Sequence, residues 1–410
     1  MGSFSIALTG LKANSTALNT IGNNLANLNT TAFKDQTTTF SDLYYQQVGS
    51  AGSGDPLQQG LGTQVSSTSS DFSQGTLTTT DDANDMAIQG NGFFVTMDNG
   101  TQQLTRAGDF QLDNQGNLIT ADGSSVMGYG ATNGVVASGG SLEALHLPIG
   151  ETQAAQATSQ FSLTGNLSSS AAVGSDFSTP ITMYDSLGTS HSATVTFTKT
   201  ATDQWSYSVT LPSGDETGTP VNNTGTLTFD SNGKLTSPSS NISGISFPGM
   251  ADGASDMSLN WNMFDAGGNG LISQTSGATT SSTTLQNGYA SGTYTGFTVD
   301  ATGDITAQFS NGETQTVGQV ALASVANVEG LTRVGDNAYV ANAASGAVTI
   351  GKAGSGGLGS IDDNALESSN VDISTEFTNL IVAQRAFEAN SKTVTTFDTL
   401  TQETINMIHG

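Results

Sequence analysis

No cysteine occurs in this 410-residue chain, so disulfides, thiolate catalysis and cysteine-ligated metals are all excluded. Basic residues are nearly as scarce, with 9 lysines and arginines against 35 aspartates and glutamates and a formal charge of -26. That balance argues against nucleic acid or anionic lipid as a partner, and it keeps free subunits apart in solution. No run approaches the roughly 18 apolar residues needed to span a bilayer, so membrane insertion is not expected. The first 33 residues carry Lys12 as their one lysine and no continuous apolar stretch ahead of a small-residue cleavage site. They do not read as a cleaved secretory signal.

What the chain has instead is 50 glycines and abundant Ser, Thr, Asn and Asp, with hydrophobics at 35% and charged residues at 11%. This is the profile of turn-dense β structure with a neutral polar skin. Short β-type runs at 86–88, 93–97, 110–112, 118–120 and 126–129 alternate with turn dipeptides such as Asn91-Gly92 and Asp122-Gly123. A second β block covers 149–290, with runs at 181–184, 193–199, 205–211 and 225–229 and a hairpin signal at Asn232-Gly233. Residues 291–350 return to the style of the first block.

Helical periodicity is confined to the two ends. Phe4, Leu11, Leu18 and Leu25 recur every seven residues, with Ala7, Ile21 and Leu28 interleaved. Leu366, Ile373, Leu380, Phe387, Val394 and Ile408 repeat the pattern at the other end, interrupted by the polar Thr401. A seven-residue apolar repeat makes a narrow seam that needs another helix to cover it, from the same chain or from a copy. These residues are the candidate assembly seam. Gly-rich segments beside the helices, Gly49 to Gly62 and Gly351 to Gly359, are candidate flexible joints.

The predicted fold is α+β and multidomain. The N- and C-terminal helices pair as a coiled-coil-like terminal domain, with nested mainly-β domains between them. In chain order these are an N-terminal helix (1–33), an extended connector (34–75) and the first part of a β domain (76–148). An inserted outer β domain (149–290), the second part of the first β domain (291–359) and the C-terminal helix (360–410) follow.

Chemical motifs are sparse. His146, His191 and His409 lack metal-ligand spacing to one another or to an acidic cluster, so no metal is expected there. Gly354-Ser-Gly356-Gly-Leu-Gly359 matches a dinucleotide fingerprint but not its strand-to-helix context, so no cofactor is expected. The Asp-rich turns 81–85 and 113–117 offer clustered oxygens without the closing glutamate of a calcium loop, and Asx turns account for them. No catalytic residues emerge, and the chain does not read as an enzyme.

The opening Ser3-Phe-Ser-Ile-Ala-Leu-Thr-Gly-Leu11, with Ile21-Gly-Asn-Asn-Leu-Ala-Asn-Leu-Asn-Thr-Thr-Ala-Phe-Lys34, resembles the N-terminal signature of the bacterial flagellar rod and hook family. Leu366 to Phe377 and Ala383-Gln-Arg-Ala-Phe-Glu-Ala-Asn390 resemble its C-terminal signature, and Ile88-Gln-Gly-Asn-Gly-Phe-Phe-Val95 and Thr105-Arg-Ala-Gly-Asp-Phe110 are similar to its first β domain. Thr179-Pro-Ile-Thr-Met-Tyr-Asp-Ser-Leu-Gly188 and the segment from His191 to Phe197 resemble the outer domain of the hook members. The resemblance implies a subunit that self-assembles into a helical homopolymer, a flexible curved tube acting as a universal joint between motor rod and filament. It implies rod, hook cap and hook-filament junction proteins as partners, and an extracellular place at the flagellar basal body and hook. It also implies passage through the flagellar type III export apparatus, with Phe4 and Leu8 at the positions the export gate reads. A distal rod or junction protein is the alternative within the family, and a secreted β-rich adhesin the alternative outside it.

Overall fold

The computed structural model describes residues 2–50, 56–137 and 139–409. The chain divides into two compact units: Met1–Leu147 with Phe297–Ala307 and Gln315–Gly410, and Pro148–Gly296 with Gln308–Thr314.

In the first unit, α1 (Gly2–Ala26) and α2 (Ile373–His409) pack together. The first helix ends where Asn27, Asn29, Thr30 and Thr31 replace its periodic apolar residues, and the chain then turns through Ala32 at φ 56°. The start of α2 is capped: the Thr375 N–H donates to Asp372 Oδ1 at 2.8 Å.

Residues 34–75, expected as an extended connector, form paired strands. Gln36–Asp42 runs antiparallel to Thr63–Ser70, and Tyr45–Ser50 to Pro56–Gly60. Their Thr, Val and Tyr content favours a pleated ribbon, and α1 supplies the surface it rests on. Thr20 and Thr38 share a hydroxyl hydrogen bond of 2.8 Å across that contact.

The β part of this unit is built around Phe93–Asp98, which pairs with Thr101–Thr105 on one side and with Ser125–Thr132 and Thr314–Ser324 on the other. Alternation along the strand sends Phe94 into one core with Ile88, Phe110, Val126 and Leu322. Phe93 and Val95 enter a second core with Leu104, Tyr129 and Tyr339. Outgoing and returning chain lie side by side, since Met86–Gln89 pairs with Ser360–Asp363 and Leu77–Thr79 with Ala365–Glu367.

The second unit has two five-stranded sheets. One is an antiparallel meander of Asp176–Tyr184, Ser190–Ala201, Gln204–Thr210, Thr224–Phe229 and Leu235–Ser237. The other centres on Gln160–Ser168, which lies parallel to Met257–Asn262 and Ile272–Thr275 and antiparallel to Thr280–Gln286. Their apolar faces share one core in which Trp261 contacts the rings of Phe161, Phe197 and Tyr207.

Candidate functional site

The paired helices meet through small and polar residues. Ala7, Ala13 and Ile21 of α1 are buried, as is Ala383 of α2. Gly10 lies against Asn390, and a Cβ placed there would be 2.9 Å from the amide. Asn24 is fully buried: its Nδ2 donates to the Gln36 carbonyl at 2.8 Å and to Glu376 Oε2 at 3.2 Å, while its Oδ1 accepts the Gln36 N–H. This polar pin sets one helix against the other and both against the first strand.

The large apolar side chains are treated differently. Of the expected seam, Ile21 is buried, whereas Leu11, Leu18, Leu25, Leu28, Leu380 and Val394 are only half-buried. Phe4, Leu8, Ile373 and Phe387 are exposed, together with Phe377, Ile381, Val382, Leu400 and Ile405. The side chain of Ile408 falls outside the described residues. Thus the chain covers the small-residue line and leaves an apolar helix face open to water, which soluble proteins rarely do without a partner. A groove of about 270 Å³ lined by Ala17, Ile21, Phe40, Val382 and Ala383 opens on it.

The threonines of α2 suit burial as well. Thr393, Thr396, Thr399, Thr401 and Thr404 each donate their hydroxyl to a carbonyl four residues earlier, at 2.7–3.0 Å. Thr401, the polar interruption of the seam, therefore presents a methyl with its hydroxyl already satisfied.

Beneath the helices, Lys34 Nζ lies 2.6 Å from Glu367 Oε1, and Arg106 Nε lies 3.3 Å from Glu367 Oε2. Burial pulls the Lys34 ammonium below its usual range against the pull of Glu367, and the same cause lowers Arg106.

Gly351 lies in strand Thr349–Lys352, paired with Leu322, and the Gly359 N–H donates to the Asn91 carbonyl at 2.7 Å. Of the other glycines in the expected joint at 351–359, Gly354, Gly356 and Gly357 take positive φ with open space around them. Gly62, at φ 115°, sits against Thr9 of α1, and Gly49 lies in strand Tyr45–Ser50 with open space around it. Residues 51–55 of the other expected joint fall outside the described residues.

His191 has the acidic neighbours that its sequence context did not show. Its Nδ1 lies 2.8 Å from Asp215 Oδ2 and its Nε2 3.0 Å from Asp185 Oδ2. Burial opposes the imidazolium, but the hydrogen bonds to both carboxylates outweigh it and raise the pKa. The turn at Asp113 is a plain Asx turn, with Oδ1 accepting the Gln115 and Asn117 N–H groups at 2.8 Å.

The comparisons agree along the whole chain. The families described as flagella basal body rod protein, flagellar hook protein FlgE/F/G D1 domain, flagellar basal body protein FlaE D2 domain and flagellar basal body rod FlgEFG protein C-terminal match residues 4–34, 87–166, 166–289 and 363–407. The chain is 36% identical to flagellar hook protein FlgE of Salmonella typhimurium, over 99% of this chain and 100% of that one. It is 35% identical to the Escherichia coli protein of the same name, over 98% and 99%, and 32% identical to that of Treponema pallidum, over 99% of each. The crystal structure of Helicobacter pylori flagellar hook protein FlgE2 superposes with a TM-score of 0.54 at 14% identity, covering 71% of this chain and 100% of that one.

Proposed function

Because the chain belongs to the flagellar hook protein family, we propose that it is the structural subunit of the hook, polymerising into a flexible curved tube that carries motor torque from rod to filament. The observation that carries this reading is the open apolar face of the helix pair. Phe377, Ile381 and Val382 are each more than half exposed. Head-to-tail burial of one such face on the next subunit generates an open helix, which a tube requires. At ~25 cal/mol per Å² of apolar area removed from water, these side chains supply the association energy. The Ser-, Thr- and Asn-rich skin of the β units supplies polar contacts that exchange with water as neighbours shift. On this reading the compliance of a bending tube comes from contacts between subunits together with the Gly-rich segments Gly49 to Gly62 and Gly351 to Gly359.

The rod, hook cap and hook-filament junction proteins follow as partners on this reading, with no catalytic role. Export through the flagellar type III apparatus follows too. Phe4 and Leu8, one helical turn apart and 45% and 41% exposed, are accessible to an export gate before assembly.

Electron microscopy of the purified protein, with a hook cap protein to nucleate growth, tests the proposal. The natural chain should give tubes of constant diameter, and Leu18→Asp with Leu25→Asp should give none while the β units stay folded. Tubes from the double variant would remove the helix faces as the source of assembly.

A further inference from the structure

We propose that Asp185, His191 and Asp252 form a divalent metal site of the zinc type in the second unit, with Asp215 as the outer carboxylate that orients the imidazole. A ring nitrogen of His191 and one oxygen from each of Asp185 and Asp252 lie within 4.8 Å of one another. The 3.0 Å between Nε2 and Asp185 Oδ2 is close to the ~3.3 Å ligand-to-ligand edge of a tetrahedral shell with bonds of about 2.0–2.2 Å.

The way each carboxylate spends its oxygens separates this cluster from the Asp-rich turn at Asp113. Asp113 uses Oδ1 on backbone N–H groups and Oδ2 on the Asn117 amide, so both of its oxygens are consumed. Asp185 spends Oδ1 on the Leu187 and Thr189 N–H groups, which leaves Oδ2 to face His191. Asp252 spends Oδ1 on the Ala254 N–H, and its carboxyl also meets that of Asp185.

His191 is the decisive member. It is 6% exposed, and its Nδ1–H donates to Asp215, which fixes the ring and directs Nε2 toward Asp185. A carboxylate behind a histidine ligand is the usual outer-shell arrangement of metal sites. Among the described residues, the ion pairs to Asp185 and Asp215 come from His191, with no lysine or arginine contributing. A divalent ion that displaces the Nε2 proton to solvent reduces the excess negative charge of the group by one unit. An imidazole nitrogen with two carboxylates suits zinc better than calcium, which takes six to eight oxygens. Asp252 is exposed, so the ion enters from its side and a water completes the shell.

The consequence is mechanical. Asp185 and His191 flank the turn between Asp176–Tyr184 and Ser190–Ala201 in the meander sheet. Asp252 lies in the loop between Ile242–Phe247 and Met257–Asn262 of the other sheet. The ion clips the two sheets together at one end of the second unit, a task disulfides cannot perform in a chain without cysteine.

Isothermal titration of the chelator-stripped full chain with ZnCl2, below the concentration at which it polymerises, tests this. One saturable site is expected. Asp252→Asn and Asp215→Asn should each weaken it by 10- to 100-fold, and Asp113→Asn should leave it unchanged. Asp252 is exposed, so its variant retains the fold, which circular dichroism verifies. Two results overturn the proposal. One is no saturable binding, with nitrogen-15 spectra showing His191 doubly protonated at neutral pH as a plain ion pair. The other is binding that neither variant changes.

Discussion

Lys34 and Glu367 meet as a buried ion pair, Nζ to Oε1 2.6 Å, although 333 residues of sequence separate them. Lys34 also donates to the Ser73 carbonyl, and Glu367 Oε1 also accepts the Gly75 N–H. The pair therefore ties the segment leaving α1 to the strand that leads into α2, and it holds the roots of both helices.

Removing Glu367 strands two buried cations, Lys34 and Arg106. Glu367→Gln should destabilise the first unit by about 3–5 kcal/mol, the usual cost of an uncompensated buried charge. Lys34→Met leaves Glu367 with Arg106 and should cost clearly less. Urea unfolding of monomeric protein gives the ranking, and equal losses would mean that Arg106 does not share the carboxylate.

Ile381 and Val382 are 52% and 63% exposed, so charging them removes little from the monomer. Ile381→Asp and Val382→Asp should shift monomer stability by no more than about 0.5 kcal/mol. Each should raise the critical concentration for polymerisation tenfold or more, because burying such a side chain contributes roughly 1.5–3 kcal/mol. Sedimentation of polymer against total protein measures it. Unchanged assembly would place the interface on another face.

The terminal helices and β runs were legible because each is a local repeat, although Leu366, expected on the C-terminal stripe, lies in strand Ala365–Glu367 and Leu28 lies beyond α1. The run 193–199 lies within strand Ser190–Ala201, and the stripe from Phe4 to Leu25 within α1. How far the stripes would be covered was not legible, because the helices approach on Ala7, Gly10 and Ala13 and leave Phe387 and Ile373 outside. No periodic pattern singles out Asn24 and Glu376, whose meeting depends on the helix crossing. The His191 cluster was hidden because Asp215 lies 24 residues away, brought in by the fold alone. The glycines at 351–359 read as flexible from composition, and composition does not show that Gly359 lies against the Gln89 carbonyl.

The cap of α2 should make the helix pair acid-sensitive. The Thr375 N–H holds the Asp372 carboxyl below its ordinary value. A depressed carboxylate contributes stability that is present above the unfolded pKa, about 3.9, and lost as pH falls through the lower folded value. Helicity of the monomer followed from pH 5 to pH 2 should fall earlier for the natural chain than for Asp372→Asn, which caps without titrating. Coincident curves would show that other carboxylates govern the transition.

The turn at 351–359 can be tested as structure against tether. The Gly354 N–H donates to the Gly359 carbonyl at 2.8 Å, the Gly359 N–H reaches Asn91, and a Cβ at Gly359 would collide with the Gln89 carbonyl. Backbone cannot swing aside as a side chain does, so Gly359→Ala must disturb the pairing of Met86–Gln89 with Ser360–Asp363. A cost of about 1–3 kcal/mol is expected, as for overpacking elsewhere. A loose linker would instead gain slightly from the same change, since alanine narrows the unfolded ensemble. The sign of the shift in unfolding midpoint decides between them. Destabilisation would mean that the tube bends with Gly359 held in place, leaving compliance to the contacts between subunits and the rest of the Gly-rich segments.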